Sequence, residues 1–202
     1  MCASYMFDDK SGDEEFDRIV QGISGRYYRN SLTVKTGEIF PNDAAPVVLI
    51  ENGVPVIYLM KWGFCKPKGE GLVATAKSET AYQRRMFASP LARRRCVIPS
   101  TGFYDWDKDD GQTNGKILFN TADSAMLYMA GLYTEYKTHN NKEPLASRFV
   151  ILTQPANEDF NGLHSRMPVI LYKDEIRRWL TDMPYAKTIM SRDTVRLIRT
   201  AA

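Results

Sequence analysis

Pro46-Val-Val-Leu-Ile-Glu-Asn-Gly-Val-Pro-Val-Ile-Tyr-Leu-Met-Lys-Trp62 is the stretch that decides the fold class. Two apolar, β-prone runs, 46–50 and 54–62, flank Asn52-Gly53, a dipeptide that accepts the positive φ angles of a two-residue hairpin turn. Outward from this hairpin the chain keeps the same character. Strand-like runs recur at 95–98, 103–106, 116–120, 125–136 and 148–153, and 167–171 reads as extended. Helical patterns are fewer and shorter. Residues 11–23 carry Phe16, Ile19, Val20 and Ile23 on one stripe, 78–86 opens on Ser78 as an N-cap, and 173–180 has helical spacing. The expectation is an α+β fold: a single domain over 1–202, with a curved, barrel-like, mostly antiparallel β-sheet and short peripheral helices.

A chain of 202 residues is long enough to bury a full core without staples. It has no run of about 18 apolar residues, so no membrane span is expected. The start of the chain lacks the basic and apolar regions of a secretory signal. Cys2, Cys65 and Cys96 are odd in number, widely spaced and form no CxxC pair. That pattern argues against a disulfide framework and a zinc site, and fits a reducing, cytoplasmic setting.

The formal net charge is +3, unevenly spread. Acids cluster between Asp8 and Asp17. The middle is basic: Lys61, Lys66, Lys68, Lys77, Arg84, Arg85, Arg93, Arg94 and Arg95 outnumber Glu70, Glu79 and Asp105 nine to three. Trp62, Phe64, Tyr82, Phe87, Phe103, Tyr104 and Trp106 are interleaved with them. Cations that neutralise phosphates and rings that stack on bases suit single-stranded nucleic acid. A solvated basic face above a core of aromatics has the same sequence signature.

Three residues stand out chemically. Cys2 becomes the terminal residue once Met1 is removed, and then carries an α-amine and a thiol on adjacent carbons. The amine has an ordinary pKa of roughly 7.7–8.0 and the thiol roughly 8.5, so both supply nucleophile near neutral pH. Together they trap an aldehyde, the amine as an imine and the thiol by closing a thiazolidine. His164 lies where a loop enters an apolar run, and His139 in a polar, turn-like segment, so His164 is the candidate acid–base group. Asp105 sits between Tyr104 and Trp106 at the end of an apolar run. Such a carboxylate is either functional or a turn residue leading into Asp107–Gly111. On these residues alone, three readings stand. They are an aldehyde trap, a cysteine hydrolase of the N-terminal-nucleophile type, and a non-catalytic reader of single-stranded DNA.

The chain resembles the SOS-response-associated peptidase (SRAP) family of abasic-site-processing proteins. The resemblance rests on Met1-Cys2, Pro41 with Ala45-Pro-Val-Val48, Met60-Lys-Trp-Gly-Phe64 and Ala76-Lys-Ser-Glu-Thr80. It continues through Arg94-Arg-Cys-Val-Ile-Pro99, Gly102-Phe-Tyr-Asp-Trp106, Ala130-Gly-Leu132, Thr153-Gln-Pro-Ala-Asn157 and His164-Ser-Arg-Met-Pro-Val-Ile-Leu171. It implies covalent capture of abasic sites in single-stranded DNA, with Cys2, Asp105 and His164 as catalytic residues. It also implies maturation that exposes Cys2, by autoproteolysis in some members and by simple methionine removal here. The expected DNA-contacting set is Trp62, Thr75, Lys77, Arg84, Arg85 and Arg166. No metal or organic cofactor is implied. The expected partner is single-stranded DNA containing abasic sites, bound by a monomer in the cytoplasm, nucleoid-associated when on DNA.

Five positions in three segments depart from the family pattern. Met-Cys-Gly-Arg becomes Met1-Cys-Ala-Ser4, Asn-Ala-Arg becomes Thr75-Ala-Lys77, and the usual Glu is Asp105. Lys77 keeps the charge of an arginine but not its bidentate fork. Asp105 is shorter than Glu by about 1.5 Å, one carbon–carbon bond. The expectation is capture that survives at reduced rate or affinity.

Overall fold

The computed structural model describes residues 4–8, 14–27, 34–67, 69–109, 112–121, 124–136, 147–160, 163–192 and 196–201. The opening hairpin is as the sequence predicts. Strands β3 (Ala44–Glu51) and β4 (Val54–Trp62) pair antiparallel, with Glu51 opposite Val54. Asn52 and Gly53 take φ of 50° and 78°, the positive angles a tight right-twisted hairpin needs.

Before the hairpin come β1 (Ser4–Phe7), α1 (Glu14–Tyr27) and β2 (Gly37–Ile39). After it follow β5 (Phe64–Cys65), β6 (Leu72–Val73), β7 (Thr75–Lys77), α2 (Arg85–Arg93), β8 (Arg95–Ser100), β9 (Gly102–Asp109) and β10 (Gln112–Thr121). The remainder comprises β11 (Leu127–Glu135), β12 (Ser147–Pro155), β13 (Arg166–Pro168), β14 (Ile170–Leu171), α3 (Ile176–Thr181), α4 (Met183–Ile189) and β15 (Leu197–Ala201).

Five strands close on themselves. β12 pairs with β4, β4 with β3, β3 with β8, β8 with β11, and β11 returns to β12. All these pairings are antiparallel except β12–β4. Closure removes exposed edges, and β12 meets its demand with the unbroken buried run Phe149-Val-Ile-Leu152. The second sheet, β15-β10-β9-β1-β2, is antiparallel throughout. The chain crosses between sheets at Thr101, whose backbone N–H donates to Met6 O at 2.8 Å. The fold is α+β and sheet-dominated, with a ring of strands and few short helices.

Helix α1 buries Phe16, Ile19 and Ile23, three residues of the predicted stripe. The expected helix at 78–86 is corrected. Residues 78–83 form turns and α2 begins only at Arg85. Ser78 is buried, and its hydroxyl lies against Met190 O and Glu79 rather than capping a helix. The extended run at 167–171 divides at Val169. Its N–H donates to Leu152 O and its carbonyl accepts from Ala130 N–H, so the chain leaves β12 for β11 there. The helix at 173–180 starts as a 3₁₀ turn, Lys173–Glu175, and continues as α3.

Buried Arg95 ties the helices to the ring. Its guanidinium donates to Trp179 O at 2.6 Å, Leu91 O at 2.9 Å and Leu180 O at 3.2 Å. These carbonyls lie in the last turns of α2 and α3, where carbonyls lack intrahelical partners and a cation is favoured.

Candidate active site

The site forms where the two sheets meet. Strand β1 enters the second sheet with Ser4 opposite Tyr104 and Tyr5 opposite Phe103. The first described residue of the chain therefore faces the neighbour of Asp105. Ser4 is buried, and its hydroxyl donates to the Glu38 carboxylate, which also receives the Lys116 ammonium. Burial raises the Glu38 carboxyl, but the hydrogen bonds from Lys116 and Ser4 outweigh it and hold the group below its ordinary pKa. Lys116 lies 3.8 Å above the Tyr104 ring and 6.0 Å from that of Trp106.

Asp105 is 5 % exposed and lies on β9 opposite Ile117. One of its carboxylate oxygens accepts the Trp106 N–H at 2.8 Å. Trp106, one residue on, is 42 % exposed and presents its ring to solvent.

His164 arrives from another direction. The 3₁₀ turn Glu158–Phe160 buries Phe160 against Phe103 of β9 and Phe119 of β10, with ring centroids at 5.8 and 4.6 Å. This aromatic anchor brings the segment leading to His164 onto the sheet that carries Asp105. The His164 Nδ1 accepts the Arg166 N–H at 3.1 Å. An accepting Nδ1 puts the proton of the neutral ring on Nε2, leaving that nitrogen as the donor.

Arg166 is committed within the protein. Its guanidinium donates twice to Glu79, both at 2.7 Å, and also to Thr153 Oγ1 at 3.2 Å and Thr153 O at 2.6 Å. The fork on Glu79 is the main cause that pulls this carboxyl down to about 2. Arg166 therefore acts first as a tie between β13, β12 and the turn after β7. Thr75 and Lys77 lie on β7, parallel to β12, with Lys77 opposite Thr153 and exposed. Arg84 and Arg85 are exposed at the start of α2.

The expectation that Trp62 stacks on DNA is corrected. Trp62 has no exposed surface, packs 5.3 Å from Tyr5 and 6.3 Å from Phe149, and donates its indole N–H to Ala74 O at 2.8 Å. Its bulk joins β1 to the residue before Thr75, so it shapes the site from beneath. Cys2, the expected nucleophile, lies outside the described residues, as does His139.

Sequence reasoning missed three residues: Glu38, Lys116 and Glu79. The first two meet only through the β2–β1–β9–β10 order, which no local pattern announces. Glu79 had a usable signal, an acid one residue beyond a buried serine in a basic region that also had to neutralise Arg166. Among the described residues no group of three or more His, Cys, Asp or Glu side chains forms a metal cradle. No described helix is long and apolar enough to cross a membrane. Cys65 and Cys96 are free thiols, and burial pushes that of Cys96 well up.

Comparison with known proteins is consistent across the chain. Two solved structures share the fold. One is a protein from Bacteroides thetaiotaomicron, with TM-score 0.76 and 19 % identity, covering 99 % of this chain and 91 % of that one. The other is a protein from Bordetella bronchiseptica, with TM-score 0.76 and 22 % identity, covering 100 % and 99 %. Among curated relatives, the abasic site processing protein YoaM of Bacillus subtilis is 36 % identical over 126 residues, covering 60 % of this chain and 55 % of the relative. YoqW of the same organism, also named an abasic site processing protein, is 32 % identical over 140 residues, covering 65 % and 62 %. The abasic site processing protein HMCES of Gallus gallus is 27 % identical over 196 residues, covering 80 % and 57 %. The matches thus span a little over half the length of these relatives. The family model described as SOS response associated peptidase (SRAP) matches residues 1–198, and the chain belongs to that family.

Proposed function

We propose that this protein processes abasic sites in single-stranded DNA by capturing them covalently at Cys2. Removal of Met1 hydrolyses the Met1–Cys2 bond and frees the Cys2 amine. The amine adds to C1′ of the ring-opened abasic sugar to give a carbinolamine. Loss of one water leaves an imine, and the Cys2 thiolate then adds to the imine carbon and closes a thiazolidine. The balance is one aldehyde and one aminothiol consumed and one water released, with no redox change and no cofactor.

Asp105 and His164 carry the proton steps in this reading. The Nε2–H of His164 protonates the leaving hydroxyl of the carbinolamine, and the Asp105 carboxylate favours the charged imine. The observation that supports the reading is that separate elements bring the sequence neighbours of these groups together. Ser4 stands opposite Tyr104 beside Asp105, and Phe160 anchors the His164 segment on Phe103. Cys2 is two residues before Ser4, and two extended residues reach at most about 7 Å. The names of YoaM, YoqW and HMCES point to the same substrate class.

Lys77, Arg84 and Arg85 supply the cations for the DNA backbone, so capture weakens as salt rises. Intact mass spectrometry tests the chemistry. Protein beginning at Cys2, mixed with an abasic oligonucleotide, gains the oligonucleotide mass minus one water. A gain equal to the full mass, or no gain, contradicts the imine–thiazolidine route.

A further inference from the structure

A cavity of about 640 Å³ opens beside the site and is not used by the chemistry above. Its floor is apolar, with Leu91 of α2 and Met183 and Met190 of the α4 segment. Pro155 and Ala156 form one wall, and Tyr82, 60 % exposed, stands among the lining residues. The volume falls within the roughly 300–1,000 Å³ of small-ligand sites.

Two contacts join this cavity to the proposed catalytic groups. Pro155 pairs with Arg166 across β12 and β13, and Glu79, another lining residue, holds the Arg166 guanidinium. Arg166 in turn donates its N–H to His164 Nδ1. Charge around the opening suits a polyanion. Among the described residues the one carboxylate in the lining, Glu79, is neutralised by Arg166, while Lys187 is exposed and Arg84 and Arg85 follow Tyr82 closely in the chain. An apolar floor with thioethers, an exposed phenol ring and cations near the rim fits a planar heterocycle attached to a phosphate chain.

We infer that this cavity receives a nucleobase of the DNA strand, from a nucleotide flanking the abasic site. The inference rests on the DNA reading above and adds a base-binding pocket to it. Seating that base positions the neighbouring sugar and increases both affinity and capture rate.

Capture rates are compared on single-stranded oligonucleotides whose abasic site has a normal base on each side, or a baseless tetrahydrofuran residue on the 5′ or the 3′ side. Wild-type protein is expected to react about tenfold slower when the base on one of these sides is missing, in line with one stacked base. Ser191→Trp, which fills the opening from an exposed position, and Tyr82→Ala bring all oligonucleotides to the slower rate. Equal wild-type rates on all oligonucleotides, or variants that retain the wild-type discrimination, overturn the pocket while leaving capture itself intact. If no oligonucleotide is captured, the covalent reading has failed and anisotropy with intact single-stranded DNA decides the pocket. A loss of about tenfold in affinity for Ser191→Trp supports it, and unchanged affinity overturns it.

Discussion

Arg166 grips Glu79 through two hydrogen bonds of 2.7 Å while its own backbone N–H donates to His164. An ion pair spanning 87 residues of sequence thus sits two residues from the ring proposed to move protons. It fixes β13 against the turn after β7 and, through the backbone, the orientation of His164.

Removing this tie has a pH signature. The Glu79 carboxyl falls from an ordinary 4.5 to about 2 in the folded protein, chiefly through Arg166. A depressed folded-state pKa stabilises the protein fully above the unfolded value and loses that effect as pH falls toward the folded one. Glu79 is 42 % exposed in its side chain, so screening limits the contribution to about 1 kcal/mol. Urea unfolding of Glu79→Gln should show that deficit from pH 7 down to about 4.5, shrinking as pH falls toward 2. A deficit that does not change with pH contradicts the ionic account.

Asp105 and His164 are predicted to act on rate rather than on fold. Asp105→Asn and His164→Gln keep nearly the same shape, and each should slow capture by about a hundredfold or more. Single-turnover gels at saturating protein measure this, with circular dichroism as the control for folding. Rates within a factor of two of wild type would remove these groups from the mechanism.

Arg95 makes the opposite prediction. It is buried, is none of the groups proposed to react, and serves carbonyls of Trp179, Leu91 and Leu180. Arg95→Met leaves those carbonyls buried without donors and should cost about 3 kcal/mol or more. Denaturant unfolding measures the loss, and a change below about 1 kcal/mol would contradict it.

Gly102 tests the corner between the sheets. It has φ of 154°, and an added Cβ would lie 2.8 Å from Phe119 O and 2.7 Å from Leu118 Cδ1. The backbone oxygen cannot yield without moving β10 from β9, the strand that carries Asp105. Gly102→Ala should lower the melting temperature by several degrees, consistent with a loss of about 1–3 kcal/mol, and slow capture as well.

Much of this architecture was legible locally. Asn52-Gly53 specified its hairpin because only residues tolerant of positive φ fit that turn. The β8, β9 and β12 runs read correctly because their β-branched and aromatic residues, Trp106 apart, are in fact buried. Ser78 misled because a buried serine before an acid resembles a cap, yet its hydroxyl turns to α4 instead. Pro90 inside α2 also weakened the helical pattern where a helix exists. A curved, barrel-like sheet was expected, but not which strands close it, since β12 meets β4 and β11 through pairings set by the whole fold. At the site, Asp105 and His164 stood out by residue type together with their positions beside apolar runs. Trp62 looked like a stacking platform because sequence does not tell an exposed indole from a buried one. Glu38 and Lys116 were invisible because strand order, not spacing, makes them partners.

The most direct test mixes protein beginning at Cys2, confirmed by mass, with single-stranded DNA carrying one abasic site, and resolves the products on a denaturing gel. Cys2→Ala protein and an intact oligonucleotide serve as controls. The account predicts a shifted band that survives denaturation and requires both Cys2 and the abasic site. A band that persists with Cys2→Ala, or no band with the processed protein, would contradict covalent capture at Cys2.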